Sequence, residues 1–112
     1  MSDCAFCDIV NQKGQAQVVY QDEWITAFRD AHPRAPVHLL IVPNRHIASC
    51  GALASGDEPV MGHLLIKAAQ LAAQEKLSSF RLVANTGRGA GQSVFHLHFH
   101  LLGGRPFTWP PG

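Results

Sequence analysis

No run in these 112 residues approaches the roughly 18 consecutive apolar residues that a membrane-crossing helix requires, so a spanning segment is not expected. The opening MSDCAFCDIV lacks the basic patch and apolar core of a secretory signal, and the expected location is the cytoplasm. Blocks of like charge are missing too. Nine Lys and Arg stand against eight Asp and Glu, a net charge of +1, and so even a balance argues against nucleic acid or an anionic membrane as a partner. Cysteine is scarce: three residues, an odd number, two of them close together as Cys4-x-x-Cys7. That count disfavours a disulfide framework and favours reduced thiols. Internal repeats and low-complexity tracts are absent, and the length suits one hydrophobic core. Residues 1–112 therefore read as a single domain, with an N-terminal segment, 1–16, that carries the cysteine pair, and a proline-rich tail, 103–112.

What is present is a series of short β-rich segments. QVVYQD (17–22) and WITAFRD (24–30) are rich in β-branched and aromatic residues and read as a hairpin turning at Asp22-Glu23. VHLLIVP, from Val37 to Pro43, is apolar on both faces and reads as a central strand with His38 as its one polar member. NRHIASCGAL is expected as a short helix. Asp57 is a candidate cap and Pro59 a first-turn residue for the main helix, expected from Val60 to about Leu77. Its Met61, Leu64, Leu65, Ala68, Leu71 and Ala72 recur at spacings of three and four and make one apolar stripe. FRLVANT (80–86) is a fourth strand, GRGAGQS a glycine loop, and 94–102 a fifth strand. With no regular alternation of strand and helix, the expected fold is α+β: a mainly antiparallel five-stranded sheet, one main helix and one short helix.

The fifth segment, VFHLHFHLL, carries the chemistry. In a strand, alternate side chains share a face about 6.6 Å apart, which puts His96, His98 and His100 on one side and Phe95, Leu97, Phe99 and Leu101 on the other. Three imidazoles in register are open to three readings: a zinc site built on His-x-His, a nucleophile with its phosphate-holding neighbours, or a half-buried strand rich in histidine. The preceding TGRGAGQS favours the second. Gly87, Gly89 and Gly91 let backbone N–H groups approach an anion, and Gln92 and Ser93 add donors. The Lys-Ser/Thr ending and following helix of an ATPase phosphate loop are missing.

QSVFHLHFHLLGGRP has the His-x-His-x-His-x-x pattern of the histidine-triad superfamily. The AGQS stretch, FRDAHPRAPVHLLIVPNRHI and the terminal WPPG further resemble the Hint branch, the nucleoside phosphoramidases, with similarity from about Val18 to Gly112. The resemblance implies a histidine-triad fold whose sheet continues across a two-fold dimer, with Trp109 reaching toward the partner's site. It implies a hydrolase cleaving the P–N bond of adenosine 5'-phosphoramidates through a nucleotidyl-histidine intermediate, with a purine nucleotide as ligand and no cofactor in the chemistry. By position, His98 is the nucleophile, His100 holds a phosphate oxygen, Ser93 bonds the phosphate or protonates the leaving amine, and His38 supports the triad with His96. Asp30 meets the ribose, with Ala31 beside it. Asn85, Gly91, Gln92 and Phe99 complete the implied nucleotide set, and Ile9, Phe28 and Leu40 are available either as walls for a base or as plain core.

CAFC departs from many Hint sequences and resembles other superfamily branches in which two cysteines and two histidines hold a structural zinc. The implied ligands are Cys4, Cys7, His46 and His96, a closed tetrahedral set that suits structure rather than catalysis. The plain alternative is a pair of reduced thiols near the terminus. A thioredoxin-like role is disfavoured because no βαβ pattern surrounds the pair, and Cys50 reads as a small semi-buried residue. Two other functional classes remain: a tris-histidine zinc enzyme and a non-catalytic nucleotide-binding module.

Overall fold

The computed structural model describes residues 4–112. Val18–Gln21 (β1) and Ile25–Arg29 (β2) form the expected hairpin. Its turn runs from Asp22 to Trp24 because Asp22 organises it. The Asp22 carboxylate accepts the backbone N–H groups of Trp24 at 2.8 Å and Ile25 at 2.9 Å and the Tyr20 hydroxyl at 2.7 Å. Val37–Pro43 (β3) lies in the middle of a sheet of order β1-β2-β3-β5-β4, completed by Phe80–Val83 (β4) and Phe99–Gly103 (β5), with every neighbour antiparallel.

Strand alternation sorts the side chains into two cores. Ile25, Ala27, Leu39, Ile41 and Leu101 pack under Leu64, Ala68, Leu71 and Ala72 of the long helix Glu58–Gln74 (α2). Each fully buried Leu or Ile there contributes roughly 1.5–3 kcal/mol relative to exposure. On the opposite face Phe28, Leu40 and Val42 pack with Phe6, which belongs to a helix the sequence reading did not foresee, Ala5–Val10 (α1). Six residues ending in two β-branched side chains do not hold a helix alone. Here Cys4 caps it by accepting the Cys7 N–H on sulfur at 3.2 Å, and Phe6 docks it.

The expected short helix over NRHIASCGAL is not formed; only Cys50–Ala52 closes a 3-10 turn. The Ile47 carbonyl instead accepts the N–H of Leu97 at 2.6 Å, a tertiary pairing that keeps the segment irregular. The fifth strand begins at Phe99, not at residue 94. Its ladder with β3 stops one residue pair after Leu40↔His100, at Ile41↔Phe99. Pro43, at the end of β3, has no N–H to extend the ladder, and its carbonyl is occupied by the His96 ring. Losing the strand period there frees Phe95 from the apolar face: it is 41% exposed, with the Arg88 guanidinium 5.7 Å from its ring centre. The fourth strand ends at Val83 rather than Thr86. Pro59 sits in the first turn of α2 as expected, but Asp57 does not cap the helix with its side chain; the carboxylate pairs with Arg45 and accepts the N–H of Ala54. Leu65 falls outside the buried stripe and is exposed. No helix among the described residues is long and apolar enough to cross a membrane.

Candidate active site

Each triad histidine has a different hydrogen-bond partner: a backbone carbonyl for His96 and His98, and the His38 ring for His100. His98 Nδ1 lies 2.8 Å from the carbonyl of His96. A carbonyl only accepts, so Nδ1 carries a proton, and in the neutral ring the lone pair is that of Nε2. His38 Nδ1 accepts the backbone N–H of Arg34 at 2.9 Å, which assigns the proton to its Nε2. That Nε2–H donates to His100 Nδ1 at 2.9 Å, with the Asp30 carboxylate also 3.3 Å away. His100 is thereby left with Nε2–H as a donor. His96 turns the other way: its Nε2–H donates to the carbonyl of Pro43 at 2.8 Å, leaving the Nδ1 lone pair toward the cysteines.

Burial favours the neutral form of His100, His38 and His96. It pushes His100 down to about 4, with His98 and His38 acting in the same direction and Asp30 opposing. Burial lowers His38 as well, against the pull of nearby Asp30 and with a small push from Arg34. Burial lowers His96, its bond to Pro43 opposes, and His46 and His98 add to the lowering. A neutral imidazole is the form that can act as a nucleophile or ligate a metal.

A cavity of about 680 Å³ opens over this group, within the size range of small-molecule sites. Phe6, Ile9, Phe28 and Leu40 give it apolar walls, while Asp30, Ser93, His98 and His100 bring polar groups to the same space, with Ala31 beside them. The residues weighed as either base walls or core are therefore both, since Phe28 and Leu40 are buried and also face the cavity. Asp30 is fixed on its other oxygen by the N–H of His32 at 2.8 Å.

Other expected contacts fall elsewhere. Gln92 is buried with its amide committed to the loop: Oε1 accepts the Gly87 N–H, and Nε2 donates to the carbonyls of Ala48 and Val94. Gly87 (φ 87°) and Gly91 (φ 95°) have the left-handed backbone that only glycine adopts at little cost, so they shape the turn that delivers Ser93. Neither Asn85 nor Gly91 is among the residues lining the cavity. Phe99 packs against the α2 core on the far face of the sheet. Phe6 is a site residue that the sequence pattern did not point to. Its ring stands 5.0 Å from His98 and 5.3 Å from Phe28, both edge to face. The signal was its place between two cysteines; what concealed it was the unrecognised helix.

Next to the cavity, Cys4 Sγ lies 3.2 Å from His96 Nδ1, and Cys7 Sγ lies 3.4 Å from the Nδ1 atoms of both His46 and His96. All four donors fall within 4.8 Å of one another. Sulfur and nitrogen ligands of one tetrahedral zinc are about 3.5 Å apart, so the donor set fits such an ion. Asp30, His38 and His100 form a second close group. The proton chain just described accounts for it.

The site is a cavity of small-molecule size lined by His98, His100, Ser93 and Asp30, on an antiparallel sheet backed by one long helix. Known proteins share this arrangement of chain. Residues 3–106 match the family described as scavenger mRNA decapping enzyme C-term binding. An HIT-like protein of Synechocystis is 46% identical over 111 residues, covering 98% of this chain and 97% of the relative. The crystal structure of an HIT family hydrolase from Legionella pneumophila superposes with a TM-score of 0.96 at 48% identity, covering 98% of this chain and all of that one. A histidine triad protein from Clostridium difficile superposes at 0.92 with 33% identity over 96% of each chain. The chain belongs to the histidine-triad (HIT) superfamily.

Proposed function

We propose that this chain is a histidine-triad hydrolase of the Hint type, cleaving the P–N bond of purine nucleoside 5'-phosphoramidates to a nucleoside monophosphate and an amine. The observation that carries the reading is the His98 Nδ1–H bond to the His96 carbonyl, which leaves Nε2 as the nucleophile beside the cavity. In the first step Nε2 bonds to the α-phosphorus, the P–N bond breaks, and Ser93 Oγ protonates the departing amine. The positive charge on the His98 ring is stabilised by the His96 carbonyl. In the second step water attacks phosphorus, the Nε2–P bond breaks, and the water proton returns to Ser93. His100 Nε2–H holds a non-bridging oxygen throughout, and Asp30 receives the ribose hydroxyls. Splitting one displacement into two keeps each in line and lowers both barriers.

Cys4, Cys7, His46 and His96 would hold a zinc-type ion, which supplies a cross-link between α1 and the triad segment and takes no part in the chemistry. The same thiols suit a reducing, cytoplasmic setting. A two-fold dimer through α2 and β4 is part of the reading. β4 is an edge strand, Phe80, Leu65 and Ile66 are exposed large apolar residues, and Trp109 is 82% exposed on the tail. Sedimentation at micromolar concentration checks this, and a monomer there would remove it.

The test of the chemistry is an early quench of wild-type protein mixed with an adenosine phosphoramidate, followed by intact mass analysis. An acid-labile, base-stable adenylyl adduct mapping to His98 is expected. A His98→Ala variant that still turns over at the wild-type rate refutes the assignment, and binding without adduct or turnover would leave a nucleotide-binding module.

A further inference from the structure

The cysteine–histidine cluster and the nucleotide cavity share a single helix. Cys4 caps α1, Cys7 lies one turn in, and Phe6 stands between them. The cluster also takes His96, two residues from His98. From α1, Phe6 reaches across to His98 at 5.0 Å, His96 at 6.1 Å and Phe28 at 5.3 Å, while Phe6 and Ile9 also wall the cavity. Six residues are too few to hold a helix without docking, so whatever fixes α1 fixes that wall and the surface against which the His98 ring rests.

We infer that Phe6 is a positioning residue for His98, and that it couples the two sites: a thiophilic divalent ion held by Cys4, Cys7, His46 and His96 and a nucleoside monophosphate in the cavity bind cooperatively through α1. The inference rests on the proposed nucleotide reading. The physical argument is one of ordering. An ion at the cluster ties Cys4 and Cys7 to His46 and His96 and docks α1 against the sheet. A nucleotide arriving afterwards finds Phe6 and Ile9 in place and does not meet the cost of ordering them. A coupling of this kind is reciprocal, so the nucleotide must tighten retention of the ion by the same factor.

The experiment measures AMP binding by titration calorimetry on full-length protein loaded with one equivalent of zinc and on protein stripped by a chelator. It also measures zinc retention against a colorimetric chelator with and without saturating AMP. Ordinary coupling between sites spans about 5- to 150-fold, and a Kd for AMP about tenfold weaker in the stripped protein is expected, matched by about tenfold firmer zinc retention when AMP is present. Phe6→Ala leaves all four ligands in place. It should keep its zinc, lose the dependence of AMP affinity on zinc, and lower kcat more than it raises KM because His98 is no longer steadied; Phe6→Leu, which restores apolar volume, should recover part of both.

Equal AMP affinity in loaded and stripped wild-type protein overturns the inference, as does a protein that takes up no zinc, and in both cases the nucleotide reading stands. Absence of AMP binding in either form refutes the nucleotide reading and the inference with it. Should stripping unfold the chain, as followed by circular dichroism, the zinc-loaded Phe6→Ala protein decides: undiminished AMP affinity and kcat there overturn the inference.

Discussion

Replacing His38 by phenylalanine keeps a planar ring in a site that is only 5% exposed but removes both ring nitrogens. The backbone N–H of Arg34 then loses its acceptor, and His100 Nδ1 loses the donor 2.9 Å away. An unmet buried polar group costs about 1–3 kcal/mol, and the added apolar ring offsets part of it, so a net loss of about 1–3 kcal/mol is expected. For a chain of this length that lowers Tm by roughly 4–12 °C. The effect on turnover is more specific. Without the His38 donor, His100 is free to move its proton to Nδ1 and present a bare lone pair to a phosphate oxygen. Losing a hydrogen bond to a charged group costs about 1.5–3 kcal/mol, or about 10- to 150-fold in kcat/KM. Steady-state kinetics with an adenosine phosphoramidate measures the rate, and long-range ¹H–¹⁵N correlation of the imidazoles reads the tautomer. If kcat/KM stays within about twofold, or His100 keeps its Nε2–H form in the variant, the backbone-to-ring proton chain does not govern the site.

Ser93→Ala should slow substrates with poor amine leaving groups far more than those with good ones, and equal losses across a leaving-group series would remove its role as proton donor. Stability should fall as pH drops from about 6.5 to about 4. His100 is held neutral in the fold while the unfolded chain takes up its proton in that window, so unfolding is favoured by at most about 3 kcal/mol at the lower end. Asp22 acts in a lower window. Burial raises it but is outweighed by hydrogen bonds from Tyr20, His63 and the backbone of Ile25 and Trp24, which hold it well below the usual carboxylate range, and its contribution should be lost only below about pH 4. Urea titrations at stepped pH check both, and a flat profile between 6.5 and 4 would contradict the His100 assignment. Purified protein should contain about one zinc per chain, with Cys4→Ser lowering both metal content and Tm; fully folded, equally stable metal-free protein would count against the cluster as a structural site.

Much of the sheet was legible because its pattern is local. A β-branched hairpin, a strand apolar on both faces and a helical stripe each declare themselves within about ten residues. The triad was legible too, since three histidines at alternate positions beside a glycine loop leave few readings. Where sequence reading failed, a distant contact had overridden the local preference. Phe95 pattern-matched the apolar face until Pro43, fifty-two residues earlier in the chain, ended the ladder. NRHIASCGAL had helix-compatible composition, but Leu97 claims its backbone. α1 was invisible because its stability comes from Phe6 on the sheet and Cys4 at its cap rather than from its own propensities.

The sequence by itself determined the order of the strands along the chain, the buried face of α2 and which imidazoles were available for chemistry, because side-chain period and residue type are properties of neighbours. Only the tertiary structure decided which hydrogen-bond partner each imidazole meets. The carbonyls of His96 and Pro43 and the N–H of Arg34 fix where the ring protons sit. A proton's place is set by the partner across the hydrogen bond; the His96–Pro43 bond joins segments 53 residues apart, and the His38 ring that accepts from Arg34 passes its own proton toward His100, 62 positions away.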